Sequence, residues 1–295
     1  LVKENIESES ADGTAYALEL LDLFLDPDLK PKLIPLLDDD TTHEKLEKLQ
    51  THFPRESYDP IQVINYILNR DFNFNNRWTK LCAVHATAYM EDFRISRGLI
   101  AQMFNQDKLL QETAAWVIYN KDKAVYETIA ERLPFKDKKF LDSSIENNQL
   151  LDGLEDGFFL GIEMVMFIKS LGVFKGIEGS MLSDLADKVS PVSLHPGDKI
   201  AFDGNEPCPV LIVAHGEVTL EEGSGKKVRM PRGAVFGDLF QNGPLPVIKE
   251  AVATVYSVVL RISTADFYFV LANHHELVQK LIKNSTKKEL EDTQV

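Results

Sequence analysis

Cysteine is nearly missing from this chain. Cys82 and Cys208 stand far apart and without paired spacing, which excludes a disulfide framework and a Cys-x-x-Cys zinc site and fits a reducing compartment. Basic charge is short as well. Lysine and arginine number 32 against 46 aspartates and glutamates, for a net charge of −14. Such a chain repels phosphate backbones and anionic headgroups, so neither nucleic acid nor direct membrane insertion is expected. Long apolar runs are absent. The longest, Val210 to Ala214 and Ala251 to Val259, are strand-length and fall far below the ~20 residues of a membrane helix. No signal peptide opens the chain, and its Leu1-Val2 start in place of methionine is expected of a segment cut from a longer protein.

Catalytic patterns are missing too. There is no Gly-x-Ser-x-Gly elbow and no Cys or Ser with a base partner, so nucleophilic catalysis lacks a candidate and no enzyme is expected. His195 and His215 lie at strand ends, but no His-x-His pair is followed by a glutamate, so no metal site is expected. The run Gly223-Ser224-Gly225-Lys226-Lys227 lacks the upstream glycine of a phosphate loop and reads as a hairpin turn. Asp38-Asp39-Asp40 reads as a solvated turn with a helix cap. His274-His275 falls on the closing helix, where neighbours point to different faces, and is expected to be solvated. Trp78 and Trp116 fall on apolar helix faces and are expected in core packing.

What is present divides in two. With 295 residues and 44% hydrophobic content, the chain can bury two ordinary cores. From Ala11 to about Leu133 apolar residues recur at helical spacing: Tyr16, Leu20, Leu23 and Phe24, then Ile61, Ile64, Ile67 and Leu68, then Leu81, Val84 and Ala88. Prolines 27, 31, 54, 60 and 134 break the pattern, and Thr42, Asp59, Asn76 and Asp107 are expected N-caps. The segments from Trp78 to Ala86 and from Leu110 to Ile118 look related. Short helices of this kind cannot bury an apolar face alone, and stacking them into a solenoid is the physical solution. This half resembles HEAT-type repeats, with an irregular helical bundle as the alternative. Between Pro134 and Gly157 the sequence turns polar and reads as a connector. The expected domains are therefore residues 1–150, helical, and 151–295.

After short helices over Gly161 to Leu171 and Glu178 to Val189, the periodicity changes to two from Val192 onward. Turn residues recur at Pro196-Gly197, Asp203-Gly204-Asn205, His215-Gly216, Pro231-Arg232-Gly233 and Asn242-Gly243-Pro244, a rhythm of short strands expected of a sandwich, barrel or jelly roll. A helix through Leu271, Leu277, Leu281 and Ile282 closes the chain.

Residues 160 to 285 resemble the cyclic-nucleotide-binding domain family of catabolite activators, kinase regulatory subunits and gated channels. The likeness rests on the helical entry from Phe167 to Phe174, on Gly197, Gly204, Gly216, Gly233 and Gly237, and on Phe236-Gly237-Asp238-Leu239 followed by Pro246-Val247. It implies a β-roll with flanking helices and a phosphate-binding cassette made of Phe236, Gly237, Asp238, Leu239, Pro246 and Val247. In that family the cassette opens a short helix facing the cyclic phosphate, with a glutamate for the ribose and an arginine for the phosphate. This chain has Asp238 and Val247 at those positions. Losing a charge-assisted hydrogen bond of roughly 1.5 to 3 kcal/mol weakens binding about ten- to a hundredfold or more. Three readings stay open: a degenerate pocket kept as an interaction module, weak cyclic nucleotide binding helped by Lys249, or a different small ligand. No cofactor is expected. Helical repeats before such a roll, with the leader around Ile6 to Ser10 and the run Tyr16 to Asp22, look similar to the soluble extension of bacterial nucleotide-translocase-like transporters. That resemblance implies a cytoplasmic regulatory tail whose partner is a membrane domain or another protein. A freestanding scaffold is the alternative.

Overall fold

The computed structural model describes residues 2–7, 10–54, 58–70, 75–150, 160–202, 208–223, 225–237 and 248–292. The chain forms two units, Leu1–Asp59 and Pro60–Val295. The first holds helices α1 (Val2–Glu7), α2 (Ala11–Phe24), α3 (Lys30–Leu37) and α4 (Thr42–Leu49). Ser10 starts α2 by accepting a hydrogen bond from the Gly13 N–H at 3.1 Å. The cap of α4 is Thr41, one residue before the expected Thr42: its hydroxyl faces the Glu44 N–H, and Glu44 in return accepts from the Thr41 N–H at 2.8 Å.

The second unit begins with α5 (Pro60–Asn69), α6 (Arg77–Ala86), α7 (Arg97–Gln102), α8 (Lys108–Lys121), α9 (Lys123–Ala130) and α10 (Phe135–Leu150). Asn76 and Asp107 cap α6 and α8 as their sequence positions foretell. Helix α8 is the centre. Leu109, Leu110, Ala114, Ala115, Val117 and Ile118 are all buried, so it is apolar on most sides, as a helix must be when neighbours surround it. Both tryptophans pack, half-buried, against this core. The stretch after Pro134 is a correction, since the expected polar connector is helix α10. Two apolar residues one turn apart, Leu141 and Ile145, are buried on the core, and the Tyr126 hydroxyl donates to Asp142 at 2.7 Å. That pair suffices to dock an otherwise charged helix. The boundary expected at 150 adjoins residues 151–159, which lie outside the described residues.

Next come, among the described residues, α11 (Gly161–Ser170), a 3-10 turn over Gly172–Phe174, α12 (Gly179–Ala186), eight strands, and helices α13 (Thr264–Asn273) and α14 (His275–Asp292). The strands are β1 (Ser190–Leu194), β2 (Lys199–Ala201), β3 (Val210–His215), β4 (Glu217–Glu222), β5 (Lys227–Pro231), β6 (Val235–Phe236), β7 (Ile248–Ala253) and β8 (Ser257–Ile262). They form two four-stranded antiparallel sheets, ordered β1-β8-β3-β6 and β2-β7-β4-β5. Strands β3 and β8 read as continuous apolar runs because both their faces are covered. Val210, Ile212, Ala214, Val258, Leu260 and Ile262 pack with the helices, while Leu211, Val213 and Val259 fill the space between the sheets. Of the glycines expected at turns, Gly197, Gly216, Gly233 and Gly237 have positive φ; Gly204 lies outside the described residues. The closing helix is two helices, since His274 is non-helical at φ −134° and ends α13.

A carboxylate ties the helical part to the first helix of the roll. Glu112 on α8 accepts the Gly161 N–H at 2.8 Å, at the start of α11. Burial pushes its pKa above the ordinary 4.5, opposed by hydrogen bonds from Gly161 and Ser144 and assisted by nearby Glu163. The folded chain therefore holds this proton to higher pH than the unfolded chain. Its contribution is fully present below the ordinary carboxyl pKa and is lost as pH climbs through the raised value. Glu112→Gln keeps an acceptor for Gly161 and removes the titration. Urea midpoints at about pH 4 and about pH 7 should fall less with pH in the variant than in the parent; equal falls would remove Glu112 as the cause.

Candidate functional site

The expected ligand site is the cassette between β6 and β7. Phe236 is 3% exposed and packs between the sheets, with Leu211 on β3 as its register partner. Gly237 follows at φ +140°, so close to β3 that a Cβ would lie 2.6 Å from the Pro209 carbonyl oxygen; no other residue fits there. Asp238, Leu239, Pro246 and Val247 lie outside the described residues. The chain re-enters at Ile248, which is buried in the same core, while Lys249 is exposed on the opposite face of β7. The carbonyl of Lys249 accepts the Phe202 N–H at 3.0 Å, pairing β7 with the end of β2.

Basic side chains keep to the outside of the roll. Lys199, Lys226, Lys227, Arg229, Arg232, Lys249 and Arg261 are every lysine and arginine between Ser190 and Ile262, and all are exposed. Lys199 pairs with Glu250 at 2.7 Å, Lys227 with Glu221 at 3.5 Å, and Arg229 with Glu217. Arg232 lies over the Phe167 ring at 5.7 Å. The inner core is made of side chains such as Leu194, Leu211, Val213, Val218, Leu220 and Ala251.

His195 and His215 both face the Tyr256 ring, at 5.7 and 6.0 Å between centroids. Among the described residues no group of three His, Cys, Asp or Glu is placed to hold a metal ion. Gly225, at φ +81°, turns the β4–β5 hairpin, its N–H donating to the Glu222 carbonyl at 2.8 Å. Cys208 is buried, and burial pushes the half-buried Cys82 thiol up to about 11, against a small opposing effect of Lys169; such a thiol is a poor nucleophile. No helix among the described residues is long and apolar enough to cross a membrane.

A polar junction absent from the sequence reading joins the helical part to the roll. Arg77, the first residue of α6, spends all five N–H donors on carboxylates. Nε and Nη2 go to Asp107, Nη1 to Asp184 at 3.0 Å and Asp187 at 2.8 Å, and Nη2 also to Asp187 at 3.0 Å. Burial opposes the charge, but the hydrogen bonds of Asp187 and Asp107 outweigh it and raise the pKa. The other oxygen of Asp184 accepts from His274 Nε2 at 2.9 Å, at the α13–α14 break. His274, expected to be solvated, is therefore tied in, its side chain only 22% exposed. Beside it, a Cβ on Gly179 of α12 would stand 2.4 Å from the Trp78 ring, so the two helices meet with no spare room. Midway along α14, Asn284 Nδ2 donates to the carbonyls of Val173 and Lys175 at 2.9 and 3.0 Å. This ties α14 to the 3-10 turn that follows α11. Asp107 was legible as a cap; its partners lie too far along the chain for any local pattern to announce.

No family model and no curated protein sequence matches the chain. Solved structures do. The sensor domain of the transcriptional regulator DNR from Pseudomonas aeruginosa is similar at 20% identity and TM-score 0.36, over 42% of this chain and 91% of that one. A cyclic nucleotide-binding domain from Methylobacillus flagellatus KT is similar at 16% identity and TM-score 0.36, over 45% and 79%. The regulatory domain of Toxoplasma gondii PKA, solved with cAMP, is similar at 19% identity and TM-score 0.35, over 42% and 49%.

Proposed function

We propose that this chain is a non-enzymatic regulatory module whose roll, of cyclic-nucleotide-binding type, has lost the side-chain cation that would hold a cyclic phosphate. One observation carries the reading. Every lysine and arginine from Ser190 to Ile262 is exposed, and the sequence from Asp238 to Val247 contains none. A phosphate at the cassette would lack a guanidinium fork from the sequence between Asp238 and Val247, which leaves a weaker hold. In this reading the helices of residues 60–150 act as stacked HEAT-type repeats, and the junction at Arg77 and His274 conveys changes in α13 and α14 to them. The parent protein would be a transporter with this module as its cytoplasmic tail; about twelve apolar helices encoded upstream of Leu1 would support that, and a start codon there would support a freestanding scaffold.

Calorimetry on the whole chain with cyclic AMP and cyclic GMP tests the pocket. The expected result is no binding in the low-micromolar range, and tightening by about ten- to a hundredfold on Val247→Arg, the gain of one charge-assisted phosphate contact. Low-micromolar binding by the unaltered chain would overturn the proposal and favour the second reading, a working cyclic nucleotide sensor.

A further inference from the structure

The first unit leaves many of its large apolar side chains exposed. Among its described residues only Ala17 is a buried hydrophobe, and α3 and α4 contain no buried residue. Eight-residue helices are not stable in water without burying a face. Yet Leu23, Phe24 and Phe53 are 76%, 81% and 60% exposed. Leu36, Leu46, Leu49 and Phe53 line a groove of about 430 Å³ between α3 and α4, with His43, Glu47 and Gln50 at its rim.

The charge around the groove selects its occupant. Asp38, Asp39, Asp40, Glu44 and Glu47 stand between Leu36 and Phe53 against Lys45 and Lys48, and both lysines are engaged within the unit. Lys45 Nζ donates to the Leu36 carbonyl at 3.2 Å, and Lys48 pairs with Asp38 at 3.7 Å and with Asp40. The unit as a whole has fifteen aspartates and glutamates against six lysines and arginines. A second copy of this acidic unit, a nucleic acid and an anionic membrane would all be repelled. We infer that the α3–α4 groove docks a cationic amphipathic helix of another protein, its leucine-type anchors seated on Leu36, Leu46 and Phe53 and its lysines or arginines against the aspartates of the α3–α4 turn. This is helix-in-groove recognition, with anchors at i, i+3 or i+4, and i+7.

The test uses the full chain and a fluorescein-labelled peptide of two Leu-Lys-Lys-Leu-Leu-Lys-Leu heptads, read by anisotropy. Saturable one-to-one binding is expected, at least tenfold weaker for Leu46→Ser with Phe53→Ser. It should also be at least tenfold weaker for Asp39→Lys with Glu47→Lys, and on raising salt from about 50 to about 500 mM. All the substituted positions are exposed, and unchanged melting of the variants confirms an intact fold. Equal binding of a peptide with glutamate in place of lysine would overturn the inference. So would equal binding by the serine variant, which would mean adherence by charge alone. Protection of Phe53→Cys from a maleimide without peptide would overturn it as well, since the chain itself would then cover the groove.

Discussion

Gly216→Ala should destabilise the chain by about 3 kcal/mol or more, a fall of roughly 6 to 12 °C in melting temperature for a unit of this size. Two costs add. Gly216 sits at φ +71°, where an L-residue pays about 1 kcal/mol or more. Its Cβ would also lie 2.2 Å from the Tyr256 carbonyl oxygen and 2.9 Å from Ser257 Cα. The obstacle is backbone, held at the start of β8, and Ser257 Oγ also accepts the Glu217 N–H at 3.0 Å, so neither neighbour yields cheaply. Gly197→Ala separates the two costs. That glycine has φ +93° with nothing within 4 Å of a Cβ, so only the conformational part, about 1 kcal/mol, remains. Differential scanning calorimetry of both variants decides: similar shifts would mean that the crowding at Gly216 costs nothing.

The second large effect belongs to Arg77→Met, expected to cost roughly 2 to 3 kcal/mol in urea unfolding. The figure stands below the 3 to 5 kcal/mol of a fully buried pair. The Arg77 side chain is 19% exposed, but Asp184 and Asp187 are 47% and 41% exposed, so water screens part of the loss. Three carboxylates would be left facing one another. Adding Asp107→Asn should return part of the stability, because asparagine caps α8 as well as aspartate does while removing one stranded charge. Arg77→Lys should recover little, since an ammonium cannot bridge two carboxylates in bidentate fashion. A loss for Arg77→Met no larger than for an exposed residue such as Arg97 would show that the junction contributes nothing.

The sequence announced the roll because its signals are local. Turn glycines recur, and the apolar runs of β3 and β8 are what a strand covered on both faces requires. Caps at Asn76 and Asp107 were legible for the same reason: an N-cap is a relation between a side chain and an N–H two or three residues on. Helix α10 was missed because its charged residues outnumber the buried apolar ones, Leu141 and Ile145 among the described side chains. Of the candidate site, Gly237 was readable as a turn glycine, while Phe236, expected in the phosphate cassette, is buried between the sheets. The Arg77 junction was not, since Asp184 lies 107 positions away in sequence and no pattern of spacing encodes such a meeting.

The double duty of β3 and β8 sets where the chain can be cut. A fragment running only from Ser190 to Ile262 would strip the helices from one side of these strands and bare Val210, Ile212, Val258 and Leu260, an aliphatic wall that invites self-association. A shortened version for crystallisation or display therefore has to keep α11 and α12 at its front and α13 with the start of α14 at its back.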